Sequence, residues 1–179
     1  YHFVFKGDTT QASQDDRFRV YVNGVEETAW TKSTNISQND DWGNQIAGTD
    51  SIVISGTESQ GEMFDGLMSH IHYIDGTAYA PTEFGETDST TGEWKIKTSP
   101  SVSYGTNGYF ILKDGNSGTD ESPNSNNFTT VGTITKTEDN PSHVFATFNP
   151  LLSMNSSMSL ANGNTKATTG NGYDAGRSN

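Results

Sequence analysis

Two histidines two positions apart, His70 and His72, form the spacing in this chain that best suits metal chemistry. Alternate residues of a strand point to one face, so an H-x-H pair can supply two zinc ligands. A zinc site needs a third ligand, and the sequence names no partner for this pair. The spacing therefore favours two partly exposed histidines on a sheet over a metal centre.

Paired carboxylates are the next candidates for chemistry, because glycoside hydrolysis needs two of them about 5–9 Å apart across a cleft. The sequence has no run of carboxylates like that of a glycosidase strand; Glu62 and Asp65 come nearest to it, and their spacing puts them on opposite faces of a strand. The sequence also lacks the phosphate-loop, dinucleotide, H-E-x-x-H and G-x-S-x-G motifs. We therefore predict a protein that is not an enzyme.

A polar loop at residues 114–120, DGNSGTD, offers oxygen ligands that a calcium ion would accept. The ligand candidates are Asp114, Asn116 and Asp120. The loop lacks the glycine at position six and the glutamate at position twelve of an EF-hand. The sequence establishes no cofactor, and calcium is the one that this loop would suit. The alternative is a solvated loop that only adds solubility.

Aromatic rings near Asn and Asp side chains are typical of carbohydrate sites, and Trp42, Trp94 and Tyr104 are the candidates here. In a thin sandwich, however, tryptophan more often packs in the core or at its rim. Ligand binding and packing both remain open for these three residues.

The composition limits the class of protein and its partners. Only 30% of residues are hydrophobic and 60 of 179 are Ser, Thr or Asn, which favours short strands and turns around a thin core. A net charge of −12 disfavours nucleic acid and anionic membrane surfaces. No apolar run is long enough to span a bilayer, and there is no cysteine. We predict no nucleic-acid partner and no membrane insertion.

Short alternating runs predict strands along most of the chain. Asn23-Gly24 supplies the two left-handed positions of a type I′ turn, so residues 17–22 and 25–30 should form a hairpin. The predicted strands are at residues 2–6, 17–22, 25–30, 51–55, 67–74, 93–97, 108–113 and 128–136.

The strand predicted at residues 67–74 carries Leu67, Ile71 and Tyr73 on one face, which we expect to be buried. Asp75-Gly76 should turn the chain at its end. Residues 80–85 then suit one helical turn, because Pro81 fits an early helical position and Gly85 fits the exit.

Four segments together resemble a known family. Residues 1–25, which end in Y-V-N-G-V, resemble the middle of a laminin-G-like domain. Residues 64–86, FDGLMSHIHYIDGTAYAPTEFGE, resemble the closing strand and tail of such a concanavalin-like jelly roll. Residues 94–129 and 139–151, with Y-G-T-N-G-Y-F and F-A-T-F-N-P-L, resemble the segment that follows this domain in bacteriophage tail-fibre and other virion proteins.

This resemblance implies an all-β fold, an antiparallel jelly-roll β-sandwich followed by a β-rich extension. The opening strands of the jelly roll are missing, and the chain begins inside an apolar strand, so we expect an incomplete fragment of a longer polypeptide. A processed mature protein is the alternative. The implied domains are residues 1–88, the end of the jelly roll; residues 89–151, the extension; and residues 152–179, a polar linker or the start of another β-sandwich.

The function implied by the resemblance is that of a structural or adhesive component of a bacteriophage virion, in a tail fibre or surface appendage that serves host attachment. Its implied partners are other virion proteins or copies of itself, including a trimer, and a glycan or receptor on the host surface. The alternative is a secreted bacterial carbohydrate-binding or adhesion module. A glycan-degrading enzyme is a poorer alternative.

Overall fold

The computed structural model describes residues 1–30, 36–40, 52–56, 64–115, 118–137, 140–141, 159–161 and 166–168. These residues form nine short strands in small antiparallel sheets and contain no α-helix, which confirms the all-β class. The chain divides into two compact units, residues 1–141 and residues 142–179. The domain limits predicted at residues 88 and 151 stay predictions.

The described residues of the first unit form three sheets. Strands β1 (Phe3–Gly7), β2 (Phe18–Val22) and β3 (Val25–Glu26) form one sheet in chain order. Strand β4 (Ile71–Tyr73) pairs with β7 (Tyr109–Ile111), and β5 (Gly85–Thr87) pairs with β6 (Trp94–Ile96). In the second unit, β8 (Ser159–Ala161) pairs with β9 (Lys166–Thr168).

The hairpin predicted at Y-V-N-G is confirmed. Asn23 and Gly24 have φ of 50° and 80°, the left-handed values that a type I′ turn requires. Val22 faces Val25 across the turn. Asn23 also ties β1 to the turn, because its backbone N–H donates to the His2 carbonyl and its side-chain oxygen accepts the His2 N–H, both at 2.8 Å.

Short 3₁₀ turns occur at Gln14–Asp16, Pro81–Glu83 and Lys113–Gly115. The second confirms the helical turn predicted around Pro81. It leads at once into β5, so Gly85 begins a strand as well as ending the turn.

The core of the first unit is thin and aromatic. Its buried apolar side chains are Phe84, Tyr104, Tyr109, Phe110 and Ile111, and none of the described side chains is fully enclosed. The β4–β7 ladder sets the centre of this core, since it places His72 directly opposite Phe110.

The predicted burial of the Leu67, Ile71 and Tyr73 face is wrong at Leu67, which is 65% exposed. His70 has φ of 53°, which breaks the extended alternation, so the strand begins only at Ile71. Ile71 and Tyr73 are half-buried. His72 lies between them in the strand, with its side chain on the other face, and its ring contacts the core ring of Phe110.

Two further predicted strands are wrong within the described residues. Residues 128–136 form no strand; Gly132 reverses the backbone with φ of 81°, and Val131 is 60% exposed. Residues 52–55 also form none, and Ser55 has φ of 73°. Neither segment is paired with a strand among the described residues.

Trp94 joins the first sheet to the β5–β6 hairpin. Its indole lies against the backbones of Gly24 and Gly85, where an added Cβ at either glycine would overlap the ring. The ring also stacks on His2, with centroids 6.0 Å apart. The close approach of this ring therefore requires glycine at both positions. At Gly24, the left-handed turn is a second reason for glycine.

We predict that Gly24→Ala destabilises the protein by roughly 2–3 kcal/mol, the sum of left-handed strain and the overlap with Trp94. Gly76→Ala is the matched control, since Gly76 has φ of 81° but no atom within 4 Å of an added Cβ. Chemical denaturation of both variants measures the difference. Equal losses would show that Trp94 does not lie on Gly24.

Candidate functional site

A cleft of about 340 Å³ opens on the first unit and is the candidate ligand site. All the histidines of the described residues line it, namely His2, His70 and His72, and we call it the histidine cleft. His2 lies just before β1, whereas His70 lies just before β4 and His72 lies within β4. Pairing of β4 with β7 and the Trp94 contact with His2 bring these segments to one surface.

His72 contacts more aromatic rings than the other two histidines; its side chain is half-buried, whereas His70 is 8% exposed. The His72 ring stacks on Phe110 with centroids 3.9 Å apart and also contacts Phe84 and Tyr104. Its Nδ1 lies 2.8 Å from the Tyr104 hydroxyl. Burial is the main cause that lowers the pKa of His72 to about 3, with smaller contributions from His70, His2 and Lys113. His72 is therefore neutral at physiological pH.

The hydroxyl that faces His72 is also held neutral. Burial, and then the charge of Asp120, raises the pKa of Tyr104 to about 12. A neutral phenol beside a neutral imidazole makes an ordinary hydrogen bond, so this pair carries no charge for acid–base chemistry at neutral pH.

His70 and His2 are also engaged through Nδ1. The Ser69 hydroxyl lies 2.5 Å from His70 Nδ1, and the Trp94 indole N–H donates to His2 Nδ1 at 2.9 Å. Burial lowers the pKa of both histidines. The backbone N–H of His70 donates to the Leu112 carbonyl at 3.2 Å, just before the β4–β7 ladder begins.

The H-x-H pair does not have the strand geometry that its spacing suggests, because His70 has a left-handed backbone. Among the described residues, no group of three His, Asp or Glu side chains is arranged to hold a metal ion. The neutral imidazoles of this cleft are suited to donating and accepting hydrogen bonds.

The predicted carbohydrate residues are placed as follows. Trp42 lies outside the described residues. Trp94 is half-buried and donates its N–H to His2, and Tyr104 is 8% exposed with its hydroxyl at His72. Trp94 contacts His2 and Tyr104 contacts His72, so each ring packs against a histidine that lines the histidine cleft. Direct sugar contact by any of the three stays a prediction.

The structure describes two of the three predicted calcium ligands, Asp114 and Asp120. Asn116 lies outside the described residues. Asp114 has one buried carboxylate oxygen without a hydrogen-bond partner, as a ligand would. Asp120, in contrast, has both oxygens occupied by donors from the protein. Calcium binding in this loop stays a prediction, and no step of the proposed function depends on it.

Asp120 organises the loop that follows β7. Its carboxylate accepts backbone N–H groups of Phe110 at 2.8 Å, Ser122 at 2.9 Å and Asn126 at 2.7 Å, and the Ser122 hydroxyl at 2.8 Å. Burial alone would raise the pKa of Asp120, but these hydrogen bonds outweigh burial and lower it. The carboxylate therefore has a structural role as a charged loop clamp.

Two asparagines extend this clamp. The side-chain amides of Asn124 and Asn126 both donate to the Gly108 carbonyl at 2.9 Å, and Asn124 also donates to the Gly105 carbonyl at 2.7 Å. Sequence reasoning treated this stretch as a polar loop and missed the clamp. The signal was the D-x-S and N-x-N spacing, because short polar side chains at such intervals bond to nearby backbone.

No known protein family matches this chain, and neither does any curated protein sequence or solved structure. Within the described part of the chain, there is also no helix of the length and apolar character that crossing a membrane would require.

We predict that folding stability decreases as pH falls, because of His72. Its ordinary pKa is 6.5 and its folded pKa is about 3, so below pH 6.5 the unfolded chain binds a proton that the folded chain does not. The stability from this residue is complete above pH 6.5 and falls by about 3 kcal/mol between about pH 7 and pH 4. Urea unfolding across this range should show a shallower pH dependence for His72→Gln than for the wild type. Identical slopes would contradict the burial of a neutral His72.

We predict that Asp120→Asn destabilises the protein by about 1–3 kcal/mol, because the amide loses charge and cannot accept all four donors. Glu121→Gln is the matched control, since Glu121 is exposed and its backbone N–H still bonds the Phe110 carbonyl. Thermal melting of the two variants compares them. A loss as large for Glu121→Gln as for Asp120→Asn would argue against the clamp.

Proposed function

We propose that this chain is a structural and adhesive module of a bacteriophage virion, part of a tail fibre or surface appendage, that binds a glycan of the host surface in the histidine cleft. The observation that carries the proposal is the cleft itself. Its partners would be the host glycan and neighbouring virion proteins, and its place is on the particle, outside the host cell.

The size and lining of the cleft support binding of a small ligand. A volume of about 340 Å³ lies within the range of small-molecule sites. Apolar lining from Leu67, Met68 and Ile96 can cover the C–H face of a sugar ring. Ser69 and Lys97 add polar groups that can bond sugar hydroxyls.

The lining favours binding over cleavage. Glycoside hydrolysis needs two carboxylates flanking the scissile bond. The described residues that line the histidine cleft include no Asp or Glu, and the three histidines have lowered pKa values. A bound sugar would therefore find hydrogen-bond partners and apolar contacts but no acid–base pair.

The virion part of the proposal rests on the four segments that resemble phage tail-fibre domains. The all-β class, the Y-V-N-G hairpin and the turn at Pro81–Glu83 agree with that resemblance. On this proposal the three sheets of the first unit belong to a jelly-roll sandwich whose opening strands are supplied from outside the present residues.

We predict that the chain binds immobilised host-surface polysaccharide and that Lys97→Ala together with Leu67→Asp weakens this binding at least about tenfold, which is about 1.4 kcal/mol. Both residues line the cleft, and Leu67 is 65% exposed, so the core stays intact. Val131→Asp, 60% exposed and outside the lining, is the control. Biolayer interferometry measures the affinities.

Loss of binding by the control alone, or cleavage of the polysaccharide during the assay, would overturn the binding function. Labelling of purified phage particles with an antibody against the chain tests the virion location. If the chain binds the polysaccharide but the antibody detects it only in bacterial culture supernatant, the result would favour a secreted bacterial adhesion module instead.

A further inference from the structure

The charge of the histidine cleft differs from that of the chain as a whole. The chain carries a net charge of −12, with 22 Asp and Glu residues against 10 Lys and Arg residues. Among the described residues that line the cleft, none is Asp or Glu, and Lys97 has the one side chain that is charged at neutral pH. A negatively charged ligand would therefore meet a cation there and no carboxylate of the lining.

Lys97 is held in place by its neighbours. It directly follows β6 and is half-buried, and its backbone N–H donates to the Phe84 carbonyl at 2.8 Å. Its Nζ donates to the Thr82 carbonyl at 2.8 Å. An ammonium group has three N–H donors, so two of them remain for a ligand. Hydrogen bonds from a charged donor to an anion are stronger than those between neutral groups.

A second lysine acts on the cleft from behind its wall. The Lys113 ammonium group lies over the Phe110 ring, 5.7 Å from the ring centre. After the larger effect of burial, the charge of Lys113 contributes to lowering the pKa of both His70 and His72. Asp114 opposes this contribution at His70. Lys113 therefore adds positive potential at the cleft without lining it.

His2 adds an N–H donor whose position on the ring is fixed. The Trp94 indole can only donate, so His2 Nδ1 is the acceptor of their 2.9 Å hydrogen bond. Burial is the main cause that lowers the pKa of His2, so the ring is neutral at physiological pH and carries its proton on Nε2. An ionised oxyanion only accepts hydrogen bonds, and it suits such a donor.

We propose that the histidine cleft selects an acidic sugar, with Lys97 as the counter-ion of the sugar's oxyanion and the His2 N–H as a further donor. This inference rests on the proposed glycan-binding function and specifies its ligand class. The oxyanion is the carboxylate of a uronic or sialic acid, or a sulfate ester.

The net charge of the chain does not prevent this binding. Exposed charges are screened over about 8 Å at physiological ionic strength. A short acidic sugar in the cleft therefore interacts most strongly with the charges beside it. Lys97 would be in contact with the sugar, and most of the carboxylates of the chain lie outside the lining.

A glycan array of matched pairs tests the selection at physiological ionic strength. The pairs are sialyllactose with lactose, trigalacturonate with its methyl ester, and sulfated galactose with galactose. We expect at least about tenfold tighter binding of an acidic member than of its neutral partner. The carboxylated and sulfated pairs show which oxyanion the cleft takes. Added salt should weaken binding of the acidic member and leave binding of the neutral member unchanged.

Variants of Lys97 assign the preference to the cleft. Lys97→Met should abolish most of the preference, whereas Lys97→Arg keeps the charge and should retain it. Lys95→Met is the matched control, because Lys95 is an exposed residue of β6 outside the lining. It removes the same charge and should leave the preference intact. Thermal melting of each variant confirms that the chain is folded.

Equal binding of acidic and neutral members would overturn this inference and leave glycan binding in the cleft standing. A preference that Lys97→Met leaves unchanged, or that Lys95→Met removes to the same extent, would also overturn it, because the charge of Lys97 would not be its cause. Failure to bind any member of the array or the host-surface polysaccharide would instead overturn the proposed function itself.

Discussion

The stack of His72 on Phe110 is the contact on which the first unit most depends. The β4–β7 ladder places these two rings face to face, and Phe84 and Tyr104 also contact the half-buried His72. With only 30% hydrophobic residues, the chain has few apolar side chains to bury. It uses an imidazole as a core ring, which is stable there only while neutral. The same ring forms part of the histidine cleft, so core stability and ligand site share one residue.

Hydrogen bonds supply much of the stabilisation that the small apolar core does not. Asp120 fixes the loop after β7 through three backbone N–H groups and a hydroxyl, and the Asn124 and Asn126 amides tie that loop to carbonyls near the start of the strand. A buried carboxylate is costly unless fully bonded, and full bonding makes it a rigid joint. The Asn, Ser and Asp residues of positions 118–127 therefore hold a defined loop conformation.

Local signals in the sequence predicted local structure well. The Asn23-Gly24 turn and the turn at Pro81 depend on backbone preferences of single residues, and both are present. Alternation predicted strands that the structure does not form. The left-handed His70 delays β4 until Ile71, and residues 128–136 form no strand. The cleft could not be predicted because His2 and Trp94 are 92 positions apart, and a lone sequence does not show which ring a distant indole will contact.

The protonation state of His72 is the most direct test of whether its ring is stacked, neutral, on Phe110. NMR of a sample with labelled histidine side chains reports the charge and tautomer of each ring as pH is lowered. We expect the His72 signals to remain those of a neutral imidazole down to about pH 4, because burial lowers the pKa of His72 to about 3. Titration of His72 near pH 6.5, as for a solvated histidine, would contradict the buried stack and the arrangement of the cleft built around it.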